Sequence, residues 1–517
     1  MPRTWRTLAQ PAPFQAGVPA LMLDGTVVIQ EYATDHWWKL TPDAFGQYDT
    51  GTWTQLASSS TNGTADGYAP LFSGEGVLPD GRLIVEGGEY LATGGQPQDT
   101  WTTEGAIYDP VADKWTKVAP PQSWTTEPDG VGNATGGTIG DATGMVLPDG
   151  SYLQTNCCTT EMAKLDATTM TWTTAGQNKA DVNDEESWSM LFDGRVVIAD
   201  ANVFAKTADL DHSEIYDPKT DTWSSLPDVP VELDDVYVQS GSGSNAQLAG
   251  SFEVGPEMTR ADGTIVAIGG TPHNAMFDPS TMTWTALQDT PGGYATVDGP
   301  GATLPNGDVI FATAPYCTGG GCKMGDFSPG TKYYEISGTT FTEVPGTQDA
   351  AALASYQNFL LVLPTGELLH TQIQGADGSR IELYTPAAGV AANAVPEILG
   401  EPQLQGSGAE APTAPMPTIY KGRSYTMPMA RMNGLWLGAT YGDDAQMSTD
   451  FPIVRVTAME SGHVWYCRTY NATDRSTSPT EQGAATFDIP DSVEGGTAQI
   501  AVVANGIPSA ALTVNIK

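Results

Sequence analysis

GVLPDGRLIVEGG (residues 76–88), followed by AIYDPVADKWTKV (106–118), decides the fold. The first phrase is two apolar strands joined at Pro-Asp-Gly, where glycine accepts a positive φ that other residues resist. The second is a strand ending in Tyr-Asp-Pro, a turn, and a strand carrying a tryptophan. The first phrase recurs as LMLDGTVVIQ (21–30), MVLPDGSYLQ (145–154), MLFDGRVVIAD (190–200), TRADGTIVAIGG (259–270), TLPNGDVIFA (303–312) and LVLPTGELLHT (361–371). The second recurs as EIYDPKTDTWSSL (214–226) and AMFDPSTMTWTAL (275–287), more loosely as KLDATTMTWTT (164–174) and YYEISGTTFTEV (333–344), and in longer form as HWWKLTPDAFGQYDTGTWTQL (36–56). Two hairpins per repeat make a four-stranded sheet that cannot bury its aromatic face alone and must stack on the next.

The last repeat is incomplete: RIELYTP (380–386) has no tryptophan strand after it, whereas Thr4-Trp5-Arg6-Thr7-Leu8 copies TWTQL and TWSSL. The expected architecture is all-β: a seven-bladed β-propeller over 1–390, closed by its N-terminal strand so that no sheet edge stays open. From Pro386 the composition shifts to PAAGVAANAVPEILGEP, a linker. FPIVRVTAM, HVWYCRTY, AATFDIP, AQIAVVANG and ALTVNIK then alternate as in an Ig-like β-sandwich, expected over 391–517.

Charge narrows the partners. The 61 acidic and 22 basic side chains give a net charge of −39, which leaves few cations for phosphate contacts and argues against nucleic acid. No apolar run is long enough for a membrane-spanning helix, so membrane insertion is not expected. The first residues carry no apolar leader core; the expected location is extracellular or cell-surface. Five cysteines are too few for a disulfide scaffold. Cys317 and Cys322 flank a glycine-rich loop that a disulfide would close, while Cys157 and Cys158 read as ordinary thiols rather than a vicinal disulfide.

Kelch-type repeats, seven blades and a C-terminal Ig-like module together resemble the galactose oxidase family. SYQNFLLVLPTGELL (355–369) resembles the segment that carries an axial tyrosine and then a copper-ligand histidine. The C-terminal run from FPIVRVTA through the 468–475 loop to VVANGIPSAALTV resembles the family's last domain, whose loop sends a second histidine to the propeller axis. Here Tyr356 matches the axial tyrosine, but Gln357 stands where histidine is needed, and the loop offers Arg468, Thr469 and Tyr470. Phe72 or Ser73 stands near the position of the cross-linked cysteine, and Asp141 at that of its tyrosine. The resemblance thus implies the scaffold without a copper-radical cofactor.

Eight residues before the Asp, Asn or Thr of the turn stand Asp141, Glu185, Asp298 and Gln357, with Glu253 nine before Asp262; Gln15, nine before Asp24, and Phe72, eight before Asp80, complete the set. Carboxylates converging on one axis repel unless a cation sits among them, and an oxygen-rich, histidine-poor set favours calcium or another hard divalent ion. Asp141, Glu185, Glu253 and Asp298 are therefore the expected metal ligands, and Tyr356, Gln357, Arg468 and Tyr470 the expected ligand-binding residues. The leading expectation is a non-redox protein that binds a small molecule or carbohydrate. The alternatives are a metal-dependent enzyme using the axial carboxylates and a structural or attachment protein that binds a protein partner.

Overall fold

The computed structural model describes residues 3–60, 68–93, 96–99, 102–121, 124, 139, 143–157, 159–180, 182–183, 186–199, 213–234, 237–240, 247–249, 253–316, 327–374, 378–405, 416–441 and 444–517. Among these the chain is all-β apart from short 3-10 turns. Antiparallel four-strand meanders dominate. The first runs Ala16–Leu21, Val27–Glu31, Trp37–Thr41, Thr52–Gln55, and five more of the same kind begin at Gly74, Gly144, Trp188, Glu257 and Pro300. The last runs Asn358–Val362, Leu368–Gln372, Glu382–Thr385, and takes Thr4–Thr7 as its fourth strand.

The repeated turns explain the repeated sequence. Gly25, Gly81, Gly150, Gly194, Gly263, Gly307 and Gly366 all have φ between +74° and +90°. In each, the glycine N–H bonds the carbonyl three residues back, as Gly81 to Leu78 at 2.8 Å, so the connection is a type I turn with a left-handed glycine after it. The acid before the glycine holds the chain as it leaves the turn. Asp24 Oδ1 accepts from Thr26 N at 3.0 Å, and Asp80, Asp149, Asp193, Asp262 and Asn306 do likewise. The second turn is equally regular. Asp109, Asp166, Asp217 and Asp278 accept backbone N–H groups two residues on, and the fourth residue after each is left-handed: Asp113, Met170, Asp221 and Met282.

The outer-strand tryptophans lock each meander to the one before. Trp53, Trp115 and Trp172 donate Nε1–H to the carbonyls of Gln10, Ala57 and Ala119. Trp5 donates to Pro345 at 2.6 Å, in the same role. Its ring lies 4.8 Å from Tyr384, matching the Tyr108–Trp115 and Tyr216–Trp223 pairs at 5.2 and 5.3 Å. The last meander also meets the first, where Thr371 Oγ1 donates to Gly17 O at 2.7 Å.

The C-terminal region forms two sheets. One contains Glu397–Ile398, Gln403–Leu404, Ser424–Ala430, Gln482–Asp488 and Thr469–Tyr470; the other contains Thr418–Ile419, Leu512–Ile516, Gly496–Ala504, Ile453–Ala458, Val464–Cys467 and Ile507–Pro508. Met427, Val454, Val456, Phe487 and Val502 fill the space between them, and Cys467 is a free thiol buried there. Cys157, expected as a thiol, is instead disulfide-bonded to a partner outside the described residues. Asp141, Cys158, Glu185, Cys317 and Cys322 also lie outside the described residues.

Candidate functional site

One segment from the C-terminal region leaves its own sheets and enters the meanders. Ala439–Tyr441 pairs antiparallel with the inner strand Pro300–Thr303, Tyr441 opposite Pro300. A few residues on, Ala445 forms a parallel bridge with Glu75 on another inner strand. Leu435, Trp436, Ala439, Tyr441, Ala445 and Met447 are all buried. Gly438 has a φ of +123°, and a Cβ there would lie 2.4 Å from Thr449 Oγ1, so this tight entry requires glycine. Glu75, buried beside this segment, has its carboxyl pushed up to about 8 by desolvation.

Tyr441 carries the segment's chemistry. Its ring stacks on Phe359 at 4.8 Å and lies 5.8 Å from Phe72. Its hydroxyl lies 2.9 Å from Asp298 Oδ2 and 2.8 Å from the Tyr356 carbonyl, and it donates its proton between them. Burial, then the charges of Asp298, Asp444 and Glu253, push its pKa well up, so it remains a neutral phenol. A cavity of about 20 Å³ beside it, lined by Phe72, Phe359, Tyr441 and Asp444 among others, is water-sized. Among the described residues the space beside Tyr441 is thus closely packed, and Tyr356, Gln357 and Gln374 lie next to it, at what we call the mouth.

That mouth is built from loops that precede the inner strands and from residues that follow the second strands, such as Tyr32 and Gln374. A 3-10 turn, Ser355–Gln357, presents Tyr356 and Gln357. Ser355 Oγ fastens it to the Val297 carbonyl at 2.7 Å, next to Asp298. Gln357 turns its Oε1 back to accept Ala354 N–H at 2.9 Å. The Tyr356 hydroxyl donates to Gln374 Oε1 at 3.3 Å, and Gln374 Nε2 donates to the Tyr32 hydroxyl. Tyr356 lies 5.1 Å from Phe327 and 6.4 Å from Phe72, and burial raises its pKa, with Tyr32 and Asp298 adding to the effect. Phe72, Asp298 and Gln374 have φ of +52°, +50° and +57°. Three non-glycine residues held left-handed around one mouth are a local cost that the surrounding packing sustains.

Of the expected site residues, Tyr356, Gln357 and Asp298 come together here, and Glu253 acts on the same Tyr441 hydroxyl. Arg468 and Tyr470 do not. Arg468 donates to the Asp80 carbonyl at 2.9 Å, in the turn that ends strand Gly74–Val77, whereas Phe72 of the mouth precedes that strand. Arg468 also stacks on Tyr470, whose hydroxyl donates to Asp488 at 2.9 Å. The pair thus clamps the C-terminal sheets to the turn end, while Ala439–Tyr441 and Ala445 pair with inner strands and buried Arg475, at the end of the 468–475 loop, donates to the Val77 carbonyl of another. Sequence reasoning missed Tyr441, Tyr32 and Gln374; the signal present was the aromatic in GATYGDD, too short to separate from an ordinary loop.

The histidines bear on copper. His370 is buried in its strand, bonds Asn358 at 2.8 Å, and has its pKa pushed down to about 3 by burial. His36 faces Glu31, His273 bonds Asp289 and His463 bonds Glu494. None of these is at the mouth, and His212 lies outside the described residues. The described donors at the mouth are phenols, amides and carboxylates, a set that does not fit the histidine-bearing copper-radical centre the resemblance evokes. Among the described residues no three histidine, cysteine or acidic side chains are grouped to hold a metal.

No family model and no curated protein matches the chain. Among solved structures, a fungal alcohol oxidase of the AA5 family in complex with copper matches over 100% of this chain and 99% of its own at 12% identity, with a TM-score of 0.50. A streptogramin B lyase (11% identity, TM-score 0.45) and the virginiamycin B lyase of Staphylococcus aureus (8%, 0.46) each match over 74% of this chain, covering 97% and 100% of their own. At such identities the likeness is one of fold. With the meanders and the tryptophan locks described above, the likeness to the oxidase structure shows that this chain has a β-propeller fold.

Proposed function

We propose that this is a non-redox ligand-binding protein that takes a polyhydroxylated ligand, a carbohydrate or polyol, at the axial mouth. The observation that carries this reading is the grouping of half-buried Tyr32, Phe72, Tyr356 and Gln357 with exposed Gln374 above the sealed Tyr441. Aromatic rings cover the apolar C–H face of a sugar, and phenols with amides exchange hydrogen bonds with its hydroxyls. The scaffold is read as seven kelch-type blades over 1–390 and an Ig-like module over 391–517, in a protein that works outside the cell. A calcium or similar ion held by Glu253 and Asp298, with Asp141 and Glu185, is the second element; both described carboxylates act on the Tyr441 hydroxyl, which favours a shared site.

Titration calorimetry with galactose, mannitol and short oligosaccharides, with and without calcium, tests the reading. At least one should bind the wild type, and Gln374→Ala, which removes the amide joining Tyr32 to Tyr356, should weaken it by roughly tenfold, the worth of about one good hydrogen bond. Heats equal in both proteins, or absent throughout, reject it.

A further inference from the structure

We infer that a second ligand site lies at the opposite, turn end of the propeller, between it and the C-terminal sheets, and takes a small monocarboxylate with an apolar body. A cleft of about 530 Å³ opens there, within the size range of small-molecule sites, which favour junctions between domains. Several separate segments form it, among them the Phe45–Gln47 turn, the turn Thr365–Glu367, the chain leaving the last meander through Pro386 to Val390, and the sheet carrying Arg455, Val464 and Tyr466.

The walls are mixed, with apolar side chains open to solvent beside polar ones. Phe45 and Val390, 54% and 49% exposed, both line this cleft and are among the few large hydrophobic side chains so exposed. Single exposed apolar residues need no explanation, but two facing one cavity do. The floor carries the charge. Arg455 lies opposite Tyr466 across the strand pair, and no described carboxylate forms an ion pair with it. Glu367, which also lines the cleft, is already taken by Arg6 in a two-pronged pair at 2.5 and 3.0 Å. In a chain of net charge −39, this leaves a guanidinium in a partly apolar recess, in no ion pair among the described residues.

A guanidinium presents two parallel N–H donors that match one carboxylate, and it stays charged at any working pH. Arg455 is the one cationic side chain among the described residues lining the cleft, which matches a monoanion rather than a phosphate dianion. The rings of Phe45 and Tyr466 then receive an aryl or alkyl body.

Titration of the full-length protein with 4-phenylbutyrate and with uncharged 4-phenylbutanol tests this. Phenylbutyrate should bind about tenfold tighter than the alcohol, and Arg455→Gln should erase that preference. Phe45→Ala, at an exposed position that leaves the fold intact, should weaken both compounds while the melting temperature stays unchanged. Absence of binding by either compound, or a preference for the acid that survives Arg455→Gln, overturns the proposal.

Discussion

Removing residues 1–10 should destabilise the entire propeller, not fray one end. The four paired residues from Thr4↔Thr385 to Thr7↔Glu382 would vanish and leave Glu382–Thr385 as an open edge. Trp5 would no longer cover Tyr333, His370 and Tyr384, at 5.1, 5.6 and 4.8 Å. Arg3, 2.6 Å from the buried Glu335, would go too, leaving that carboxylate with the Tyr384 hydroxyl but without its cation. Together these losses should exceed about 5 kcal/mol, the scale of a whole domain's margin. The truncated protein should melt at least ~10 °C lower or fail to accumulate. Trp5→Ala alone should cost about 3 kcal/mol, the lower end for losing a core aromatic, because the ring is only partly buried. A melting curve unchanged by the truncation would show that the ring does not depend on this strand.

Tyr441 is the second position of large effect. Tyr441→Ala should cost about 3–5 kcal/mol, since a fully buried ring stacked on Phe359 and tilted against Phe72 is removed. It should also abolish binding at the mouth, because Tyr441 holds Asp298 and the Tyr356 carbonyl in place. Tyr441→Phe keeps the ring and deletes only the donor, at a cost of about 1–3 kcal/mol. Chemical denaturation of the two variants separates these contributions. Equal stabilities would mean that the hydroxyl, not the ring, supplies the stabilisation, against the packing described here.

The sequence made the repeating part of the fold legible because its turns demand particular residues. A left-handed glycine and an acid two residues before the next backbone N–H recur in register, and Trp5 was recognisable because it copies the strand ends of other repeats. The axial segment was not legible. Ala439–Tyr441 pairs with a strand far back in the chain, and neither partner carries a pattern that names the other. Arg468 and Tyr470 misled for a related reason: a cation and a phenol on one loop look the same whether they bind a ligand or clamp a turn, and only the Asp80 carbonyl decides. The left-handed backbone at Phe72 and Gln374 left no trace in sequence either, since neither residue type favours it. At the mouth, Gln357 and Asp298 could be placed because each stands at a fixed offset from its turn, and Tyr356 because its segment resembles the one that carries the axial tyrosine.

Crystals soaked separately in copper and calcium, with anomalous scattering recorded at the mouth beside Asp298, Tyr356 and Tyr441, test the central claim most directly: that an oxidase-like scaffold carries oxygen-donor, non-redox chemistry. No ordered copper is expected there and, where an ion binds, it should be calcium with oxygen ligands including Asp298. Stoichiometric copper ligated at Tyr356 would contradict that claim.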